Sequence, residues 1–350
     1  MLRSWILILW LFNSDTVAEC GRVLFISVPQ TLSHRKTMIP VAESLQARGH
    51  EVTMMSVMIA DDGYRSNRIH SNRFYYVNTT KQDILDFLIY ENNTQISKII
   101  WNLDRPSSQK RGEIDKLLGE KWDLIVVDAL FTTCGNAIAK KSGVPYVVFQ
   151  TSALDSFQSY QRAIPVIPSF LPGLHSYVSA DSRKFYNRLW LTRDYLQDLF
   201  MDTVLNNAIS SWTARKLTPG YNWEEFVRGS QGVFSDYPNV LEYPRAYSRD
   251  FIQSGSYCPP SKTTGQLSKH LLNFVGADDS RGTVYIAFGS IVKWKTAPAA
   301  KIAAFLDLAT NMSDYRFVWS YKGPPLTALP KNILTSPWLP QAEILADSRT

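Results

Sequence analysis

The stretch VLFISVPQTLSHRKTMIPVAESLQARGHEVTMMSV, residues 23–57, decides the fold class of this chain. It opens on a continuous apolar run, Val23–Val28, which is typical of a strand buried on both faces of a parallel sheet. Apolar residues then recur at the spacing of one helix face: Met38, Val41, Ala42 and Leu45. This spacing predicts a helix over residues 36–48, ended by Gly49. A second strand at Val52–Val57 completes a β-α-β unit.

The same alternation of strand and helix continues along the chain. Further strands are predicted at Phe74–Val77, Leu124–Val127 and Val144–Phe149. Helical periodicity lies between them, over residues 83–100 and 134–141, with Gly143 as a second helix terminator. The pattern predicts an α/β domain whose parallel strands are joined by right-handed crossovers.

Three prolines, Pro165, Pro168 and Pro172, separate this region from a long helical stretch predicted over Lys184–Trp212. A second β-α-β pattern begins at Thr283 and includes a strand at 316–319. The predicted organisation is a signal peptide at 1–18, a Rossmann-like domain at 19–255, a linker at 256–282 and a second domain at 283–350. This last piece is too short to cover both faces of a parallel sheet, so we expect an incomplete domain.

The N-terminus has the pattern of a secretory signal peptide. Arg3 precedes the apolar run Trp5–Phe12, and Thr16-Val17-Ala18 provides a small-residue cleavage site. No later run is apolar and long enough for a transmembrane helix, so we expect nothing within this chain to anchor it in a membrane. Three Asn-x-Ser/Thr triplets, at Asn78, Asn92 and Asn311, fit passage through the endoplasmic reticulum.

Composition and cysteine spacing exclude several classes of protein. The 350 residues are 45% hydrophobic and 19% charged, which excludes a disordered, collagen-like or disulfide-dense chain. The net charge of +6 comes from scattered basic residues, so it indicates a basic surface and no nucleic-acid partner. Three widely separated cysteines, Cys20, Cys134 and Cys258, exclude a Cys-x-x-Cys motif. If all three persist, one is unpaired or bridged to another molecule.

Two residues that follow predicted strands are candidates for acid–base chemistry. His34 lies in the loop after the first strand, just before a helix, and Asp128 ends the strand that begins at Leu124. A histidine beside a carboxylate is a general base, because the carboxylate fixes the tautomer and stabilises the imidazolium. The alternative is that His34 is a surface residue and Asp128 a helix cap. No Walker loop, G-x-G-x-x-G, H-E-x-x-H or G-x-S-x-G motif occurs.

The second domain holds two further candidate segments. Phe288-Gly289-Ser290 follows a strand, where a small residue lets the backbone approach a phosphate and a hydroxyl donates to it; an ordinary turn is the alternative. Trp338, braced by two prolines, is suited to stacking on a nucleobase, with Gln341 as a hydrogen-bonding neighbour. The alternative is that Trp338 fills an interdomain core.

Taken together, these segments resemble the UDP-glucuronosyltransferase branch of the nucleotide-sugar-dependent glycosyltransferases. The motifs that carry the resemblance are Ser33-His34, QARGHEVT at 46–53, DLIVVD at 123–128, VYIAFGS at 284–290 and WLPQ at 338–341. The resemblance implies a GT-B fold, in which two Rossmann-like domains face each other across a cleft. The N-terminal domain of that family binds the acceptor, and the C-terminal domain binds the UDP-sugar.

The resemblance also assigns a role to each candidate residue. By position, His34 corresponds to the catalytic base and Asp128 to its carboxylate partner. Ser290 corresponds to a diphosphate contact, Trp338 to the uracil platform and Gln341 to a ribose or uracil contact. The implied reaction is inverting transfer of glucuronic acid from UDP-glucuronate to a hydroxyl of a small lipophilic acceptor, with no metal and no other cofactor.

The chain departs from the family pattern at its C-terminus. The family's His-Gly-Gly segment, its acidic and Asp-Gln contacts and its C-terminal membrane helix do not occur before Thr350. Two hypotheses follow: a fragment of an active enzyme, or a short, inactive protein that binds lipophilic ligands or pairs with full-length relatives.

The sugar donor, the oligomeric state and the cellular location also allow more than one interpretation. A UDP-glucosyltransferase is the alternative within the enzyme class. The partners expected are the UDP-sugar, the acceptor and further copies or relatives in an oligomer. We expect location in the lumen of the endoplasmic reticulum, membrane-anchored if a C-terminal helix is present and otherwise soluble there or secreted.

Overall fold

The structure is a computed structural model of the whole chain. It describes residues 20–27, 32–58, 71–76, 115–128, 133–151, 153–154, 156–173, 176, 181–215, 218–237, 242–254, 267–289 and 294–350. The chain divides into two compact units, Met1–Tyr257 and Cys258–Thr350. The boundary lies close to the end predicted for the first domain, residue 255.

The first unit is built on a seven-stranded parallel sheet with the strand order β3-β2-β1-β4-β5-β6-β7. Its strands are β1 (Arg22–Ser27), β2 (Glu51–Met58), β3 (Ser71–Tyr76), β4 (Leu124–Asp128), β5 (Tyr146–Gln150), β6 (Val233–Ser235) and β7 (Phe251–Gln253). The helices described in this unit include α1 (Leu32–Ala47), α2 (Thr133–Ser142), α3 (Ser156–Gln161), α4 (Phe185–Phe200), α5 (Asn207–Ala214) and α6 (Trp223–Gly229). The predicted strands of the first 150 residues and the helices that follow β1 and β4 are confirmed, whereas the helix predicted over residues 83–100 lies outside the described residues.

Strand β1 lies at the centre of this sheet and is buried on both faces. Val23 and Phe25 face a core that includes residues of α1, whereas Leu24 and Ile26 face a second core that includes residues of α2. Each such burial contributes about 1.5–3 kcal/mol. Because helices cover both faces, the strand is apolar at every position from 23 to 26 instead of alternating.

Helix α1 begins at Leu32, four residues before the predicted start at residue 36. Pro40 lies inside it and removes one backbone donor, yet the helix continues to Ala47. The buried side chains of this helix, which hold it on the sheet, include Met38, Ile39 and Ala42. Gly49 ends the turn that follows with φ +93°, a conformation that glycine adopts without steric cost.

Strands β6 and β7 were not predicted from the sequence. Each has only three residues, too few to show a period of two. These segments are strands because they pair with their neighbours. Val233 is aligned with Val148 of β5 on one side and with Phe251 of β7 on the other. The edge is further tied down by an ion pair between Arg162 and Asp250.

The long helical stretch predicted over Lys184–Trp212 is confirmed as one continuous helical segment. It consists of α4, a π-helical segment at Met201–Asn206 and α5. At the end of the π-helical segment, the backbone N–H of Asn207 donates to the carbonyl of Asp202, five residues earlier.

The second unit contains a three-stranded parallel sheet with the order β10-β9-β8. Its strands are β8 (Thr283–Ile286), β9 (Arg316–Ser320) and β10 (Ile333–Ser336), and its helices are α7 (Lys269–Val275), α8 (Ala299–Asn311) and α9 (Gln341–Leu345). Helix α7 lies within the segment predicted as a linker, 256–282. Its side chains Leu271 and Val275 pack with Val318 of β9, so this part of the segment belongs to the second unit.

A buried amide closes one end of the second unit. The Nδ2 atom of Asn332 donates to the carbonyls of Ala309, Met312 and Tyr315 at 2.8, 3.1 and 3.0 Å. These carbonyls lie at the end of α8 and in the turn that follows, where the helix leaves its last acceptors unpaired. Asn332 therefore joins the end of α8 to the beginning of β10.

Among the residues that the structure describes, no helix has both the length and the apolar character needed to cross a membrane.

Candidate functional site

The strand order of the first sheet reverses between β1 and β4. From β1 the chain continues to β2 and β3 on one side, and from β4 it continues to β5, β6 and β7 on the other. At such a switch point the connections leave neighbouring strands in opposite directions and open a crevice, in which α/β proteins bind ligands. The carboxyl ends of β1 and β4 are therefore the candidate site of the first unit.

Buried polar side chains gather at this edge of the sheet. Each has at most 2% of its surface exposed: Ser27, Ser56, Asp128, Gln150 and Ser235. Four of them are the last residues of their strands, and the fifth is aligned with Ser27. Because burying a polar group is costly unless it is hydrogen-bonded, such a row indicates a site with defined polar geometry.

Hydrogen bonds fix several members of this row. The Oγ atom of Ser27 donates to Oγ of Ser56 at 2.9 Å. The Nε2 atom of Gln158, on α3, donates to Oε1 of Gln150 at 2.5 Å, and Gln150 in turn donates to the carbonyl of Ala153 at 3.3 Å. These bonds restrain the side chains of Ser27, Ser56 and Gln150 at this edge.

Asp128 is fully buried at the end of β4. It is aligned with Phe149 of β5, and the residue before it, Val127, is aligned with Ile26 of β1. The sequence-based placement of Asp128 at a strand end is therefore confirmed. Its carboxylate lies at the switch point itself.

His34 was predicted in the loop before α1, but the structure places it as the third residue of that helix. The difference arises because α1 begins at Leu32. A crossover from β1 to β2 starts at the carboxyl end of β1, so the first turn of α1 lies at the same edge of the sheet as Asp128. The side chain of His34 is outside the described part of the structure, and its pairing with Asp128 stays a prediction.

A further polar residue at this edge was not predicted from the sequence. Asp236 follows β6, and its backbone N–H donates to the carbonyl of Gln150 at 2.9 Å. Burial raises the pKa of the Asp236 carboxyl above its usual value. No motif marks this residue; the only signal is its place directly after a strand, and that strand was itself too short to predict.

In the second unit, Gly289 forms the turn after β8. Its φ of +70° lies in the left-handed region, and among the described residues beyond its chain neighbours no atom lies within 4 Å of the position that a Cβ would take. Phe288 beside it is 48% exposed and lies edge-on to Trp294, with ring centroids 5.3 Å apart. Ser290, the predicted diphosphate contact, is outside the described residues.

Trp338 is presented to solvent by a braced loop. Its side chain is 73% exposed, so the indole is not part of the core of the second unit; the interdomain core stays an alternative. The hydroxyl of Ser336 donates to the carbonyl of Trp338 at 2.7 Å, and Leu339, 9% exposed, anchors the loop in the core. Gln341, the first residue of α9, is exposed.

Trp338 and Gly289 lie beyond the carboxyl ends of strands in the same parallel sheet. Trp338 follows β10 and Gly289 follows β8, with β9 between these two strands. The second unit therefore repeats the arrangement of the first, with its candidate residues at the edge where parallel sheets bind ligands.

The other predicted sites are described in part. Asn311 is exposed as the last residue of α8, and the thiol of Cys20 is free, exposed and 2.7 Å from the carbonyl of Gly49. Asn78, Asn92 and Cys258, and the side chain of Cys134, lie outside the described residues. Within the described ranges, no three His, Cys, Asp or Glu residues are grouped to hold a metal ion. The prediction that no metal is needed stays a prediction.

The family is shown by a match over almost the whole chain. The family model described as "UDP-glucoronosyl and UDP-glucosyl transferase" matches residues 21–350. The chain belongs to this family. The resemblance found from the sequence motifs is thereby confirmed.

Relatives of this chain include a UDP-glycosyltransferase of Dactylopius coccus and UDP-glucuronosyltransferases of mammals. It is 24% identical to UDP-glycosyltransferase UGT5 of Dactylopius coccus, over 95% of this chain and 64% of that protein. It is 25% identical to UDP-glucuronosyltransferase 1A8 of Rattus norvegicus, over 96% of this chain and 65% of that protein. The family chain therefore spans somewhat less than two thirds of the length of these relatives.

Solved structures confirm the fold class. The calicheamicin glycosyltransferase CalG4 matches with a TM-score of 0.56 at 15% identity, over 94% of this chain and 73% of that one. Medicago truncatula UGT71G1, solved with UDP-glucose, matches with a TM-score of 0.55 at 15% identity, over 96% and 75%. The α/β fold of this family chain is that of the GT-B glycosyltransferases.

Proposed function

We propose that this chain carries the acceptor site and donor contacts of an inverting UDP-glycosyltransferase that acts on the hydroxyl of a small lipophilic acceptor. The observation that carries the proposal is the buried carboxylate of Asp128 at the switch point of the first sheet, where the first turn of α1 brings His34 to the same edge. Family membership over residues 21–350 supports glycosyl transfer as the class of reaction.

In the proposed reaction, His34 accepts the proton of the acceptor hydroxyl. The oxygen then attacks the anomeric carbon of the UDP-sugar, and the bond from that carbon to the diphosphate oxygen breaks. UDP leaves with the bonding electrons, and the new bond forms on the opposite face of the sugar. Asp128 holds the imidazole in the tautomer that accepts the proton and stabilises the imidazolium that results.

The proposed donor contacts lie in the second unit. Trp338 stacks on the uracil ring, for which its exposed indole is suited, and Gln341 bonds the ribose or the uracil. Ser290 donates to the diphosphate. No metal or resident cofactor takes part in this scheme.

UDP-glucuronate is the proposed donor, and UDP-glucose is the second candidate. Relatives named as glucuronosyltransferases favour UDP-glucuronate. The family description names both sugars, so UDP-glucose stays a candidate. Competition between the two donors for one acceptor distinguishes them. Preferential turnover of UDP-glucose contradicts the first choice.

The direct test measures UDP release from UDP-glucuronate by the 350-residue chain in the presence of a panel of phenolic acceptors. We expect acceptor-dependent release, and we expect His34→Ala to abolish it while the melting temperature changes little. His270→Ala is the matched control, because His270 is an exposed residue of α7 in the second unit. Equal release by the wild-type and His34→Ala chains contradicts the proposed base.

The alternative is that the chain is an inactive ligand-binding or regulatory partner of full-length relatives. This alternative predicts no UDP release by the 350-residue chain and a changed rate when the chain is added to a full-length relative. Release that depends on His34 excludes it.

The proposed location is the lumen of the endoplasmic reticulum. It rests on the signal-peptide pattern of residues 1–18 and on the three glycosylation triplets, of which Asn311 is exposed in the structure. Proposed partners besides donor and acceptor are further copies of the chain or relatives. A membrane anchor is proposed only for a chain that includes a C-terminal helix.

A further inference from the structure

Lys322 follows β9, the middle strand of the sheet in the second unit. The strand order is β10-β9-β8, so β9 lies between the strand that leads to Trp338 and the strand that leads to Gly289. Lys322 comes two residues after β9 ends at Ser320, at the carboxyl edge of the sheet. It therefore lies at the same edge as the two candidate donor segments and between them.

The register of the three strands places Lys322 in line with both candidate segments. The last aligned residues of β9 and β10 are Ser320 and Ser336, and Lys322 and Trp338 each follow two residues later. The last aligned pair of β8 and β9 is followed three residues later by Gly289 on one strand and Lys322 on the other. Neighbouring strands lie about 4.8 Å apart, so a ligand that extends from Trp338 to Gly289 crosses the position of Lys322.

Contacts on both sides of Lys322 fix its backbone. The N–H of Tyr321 donates to the carbonyl of Ser336 at 2.9 Å, which continues the pairing with β10 beyond the end of β9. The ring of Tyr321 is 7% exposed and packs against Trp319, with ring centroids 4.8 Å apart. A Cβ atom added to Gly323 would overlap that ring, so the chain after Lys322 lies directly on it. Lys322 itself is exposed.

The alternation of side chains along β9 places Lys322 on the face that carries the loop of Trp338. Tyr321 belongs to the core that includes residues of α8, whereas Val318 belongs to the opposite core, which includes Leu339. Lys322 comes four residues after Val318 and is therefore on the same face. Leu339 directly follows Trp338 in the chain, so the loop of Trp338 is anchored on this face of the sheet.

Lys322 is an exposed cation that takes part in none of the ion pairs found among the described residues. In the described part of the second unit, each arginine is paired with an aspartate: Arg281 with Asp314, Arg316 with Asp279 and Arg349 with Asp347. The ammonium of Lys322 is therefore available to an anionic ligand at the carboxyl edge.

From this placement we propose that the ammonium of Lys322 binds the diphosphate of the UDP-sugar while Trp338 stacks on the uracil. This role rests on the proposed function, because it uses the donor contacts assigned there. A diphosphate carries more than one negative charge, and UDP gains charge as it leaves with the bonding electrons. A cation on a fixed backbone at this point stabilises both the bound donor and the leaving group.

The test is isothermal titration of the 350-residue chain and its variants with UDP and, separately, with uridine, which has no phosphate. We expect Lys322→Gln to weaken UDP binding by about fivefold to twentyfold, because one charge-assisted contact is lost, and to leave uridine binding unchanged. Lys322→Arg is expected to retain most of the affinity for UDP. Added salt is expected to weaken UDP binding more in the wild type than in Lys322→Gln.

Lys331→Gln is the matched control. Lys331 is an exposed residue of the same connection between β9 and β10, but it lies two residues before β10, at the opposite edge of the sheet. We expect this variant to bind UDP as the wild type does. The proposed role is wrong if Lys322→Gln binds UDP as tightly as Lys331→Gln does, or if Lys322→Gln weakens uridine and UDP binding to the same extent.

Failure of the proposed donor contacts gives a different result. If the wild type binds no UDP, or binds it no better than Trp338→Ala does, the donor contacts of the proposed function are wrong and the role of Lys322 is wrong with them. If Trp338→Ala weakens UDP binding and Lys322→Gln does not, only the role of Lys322 is wrong.

Discussion

The hydroxyl of Ser336, the last residue of β10, donates a 2.7 Å hydrogen bond to the backbone carbonyl of Trp338. The bond closes a short turn around Pro337 and holds the loop against the strand end. Trp338 is therefore held in place by its backbone while its indole stays in solvent, 73% exposed. A loop fixed in this way loses little backbone conformational entropy when a flat ligand stacks on the indole.

Ser336→Ala is expected to weaken UDP binding by about threefold to tenfold, because the loop loses one hydrogen bond of about 0.5–1.5 kcal/mol. Isothermal titration with UDP measures the change, and Ser336→Thr is expected to restore most of it. Thr310→Ala removes an exposed hydroxyl of α8 that donates to the carbonyl of Leu306, and serves as the control. An unchanged affinity for UDP in Ser336→Ala contradicts this role.

Asp128→Asn is expected to lower kcat by about a hundredfold or more with a small change in KM, because an amide cannot stabilise an imidazolium. Asp123→Asn provides the comparison, since Asp123 precedes β4 at the amino edge and accepts a 2.7 Å bond from the backbone N–H of Arg22. Steady-state kinetics with saturating UDP-sugar measure both variants. If Asp123→Asn loses as much activity as Asp128→Asn, the carboxylate at the switch point has no special part in the reaction.

Asn332→Ala is expected to destabilise the second unit by about 2–4 kcal/mol, because up to three buried carbonyls lose their donor. Urea unfolding followed by tryptophan fluorescence detects the second unit through the buried Trp294 and Trp319 and the first unit through the buried Trp122, and we expect the shift in the transition of the second unit. Asn332→Asp is expected to be at least as damaging, since a carboxylate cannot donate. Asn273→Ala, at an exposed position of α7, is the control, and an equal effect there removes the argument.

Asp236→Asn is expected to stabilise the protein at neutral pH and to have little effect at acid pH. Burial raises the pKa of Asp236 in the folded state, so the folded form binds the proton more tightly than the unfolded form. The contribution of Asp236 to stability is therefore complete below the usual carboxyl value near 3.8 and is lost as the pH rises through the higher folded value.

Urea midpoints are measured for Asp236→Asn and the wild type from about pH 4 to pH 7. The midpoint of Asp236→Asn is expected to exceed that of the wild type by a difference that grows as the pH increases. Asp278→Asn, an exposed residue of the second unit, is the control and is expected to follow the wild type. A difference that shrinks as the pH rises contradicts the prediction.

Asn311→Gln is expected to remove one glycan from the chain when it is expressed in a eukaryotic secretory pathway. The side chain is exposed at the end of α8, so it is accessible to the transferase. The measurement is gel mobility before and after treatment with a glycosidase specific for N-linked glycans. Identical mobility of Asn311→Gln and the wild type means that Asn311 is not glycosylated.

The long apolar runs of this chain were sufficient to predict its central strands. Val23–Ile26 and Ile125–Val127 are buried by helices on both faces, and such strands have an unambiguous composition. Strands β6 and β7 and helix α7 were not predicted because contacts with neighbouring elements determine their secondary structure. Val233, for example, is a strand residue because it pairs with Val148 and Phe251. Three residues do not establish a period.

The candidate site was predictable at Asp128, because a carboxylate at the end of a strand is itself a candidate for acid–base chemistry. Gln150 and Gln158 escaped notice because an amide is unremarkable until its burial is known, and these two are 1% and 3% exposed. The exposure of Trp338 also required the structure, since two prolines beside a tryptophan fit a core position as well as a surface loop.

The placement of β4 beside β1 has a consequence for how the chain acquires its crevice during synthesis. Strands β1, β2 and β3 are complete by Tyr76, but one edge of β1 stays open until Leu124–Asp128 has left the ribosome and inserted next to it. A nascent chain stalled before that point exposes an apolar strand edge prone to pairing with other chains. The pairing of β4 with β1 both covers that edge and creates the crevice. A sheet in which these strands have paired correctly therefore already contains the place where the acceptor is expected to bind.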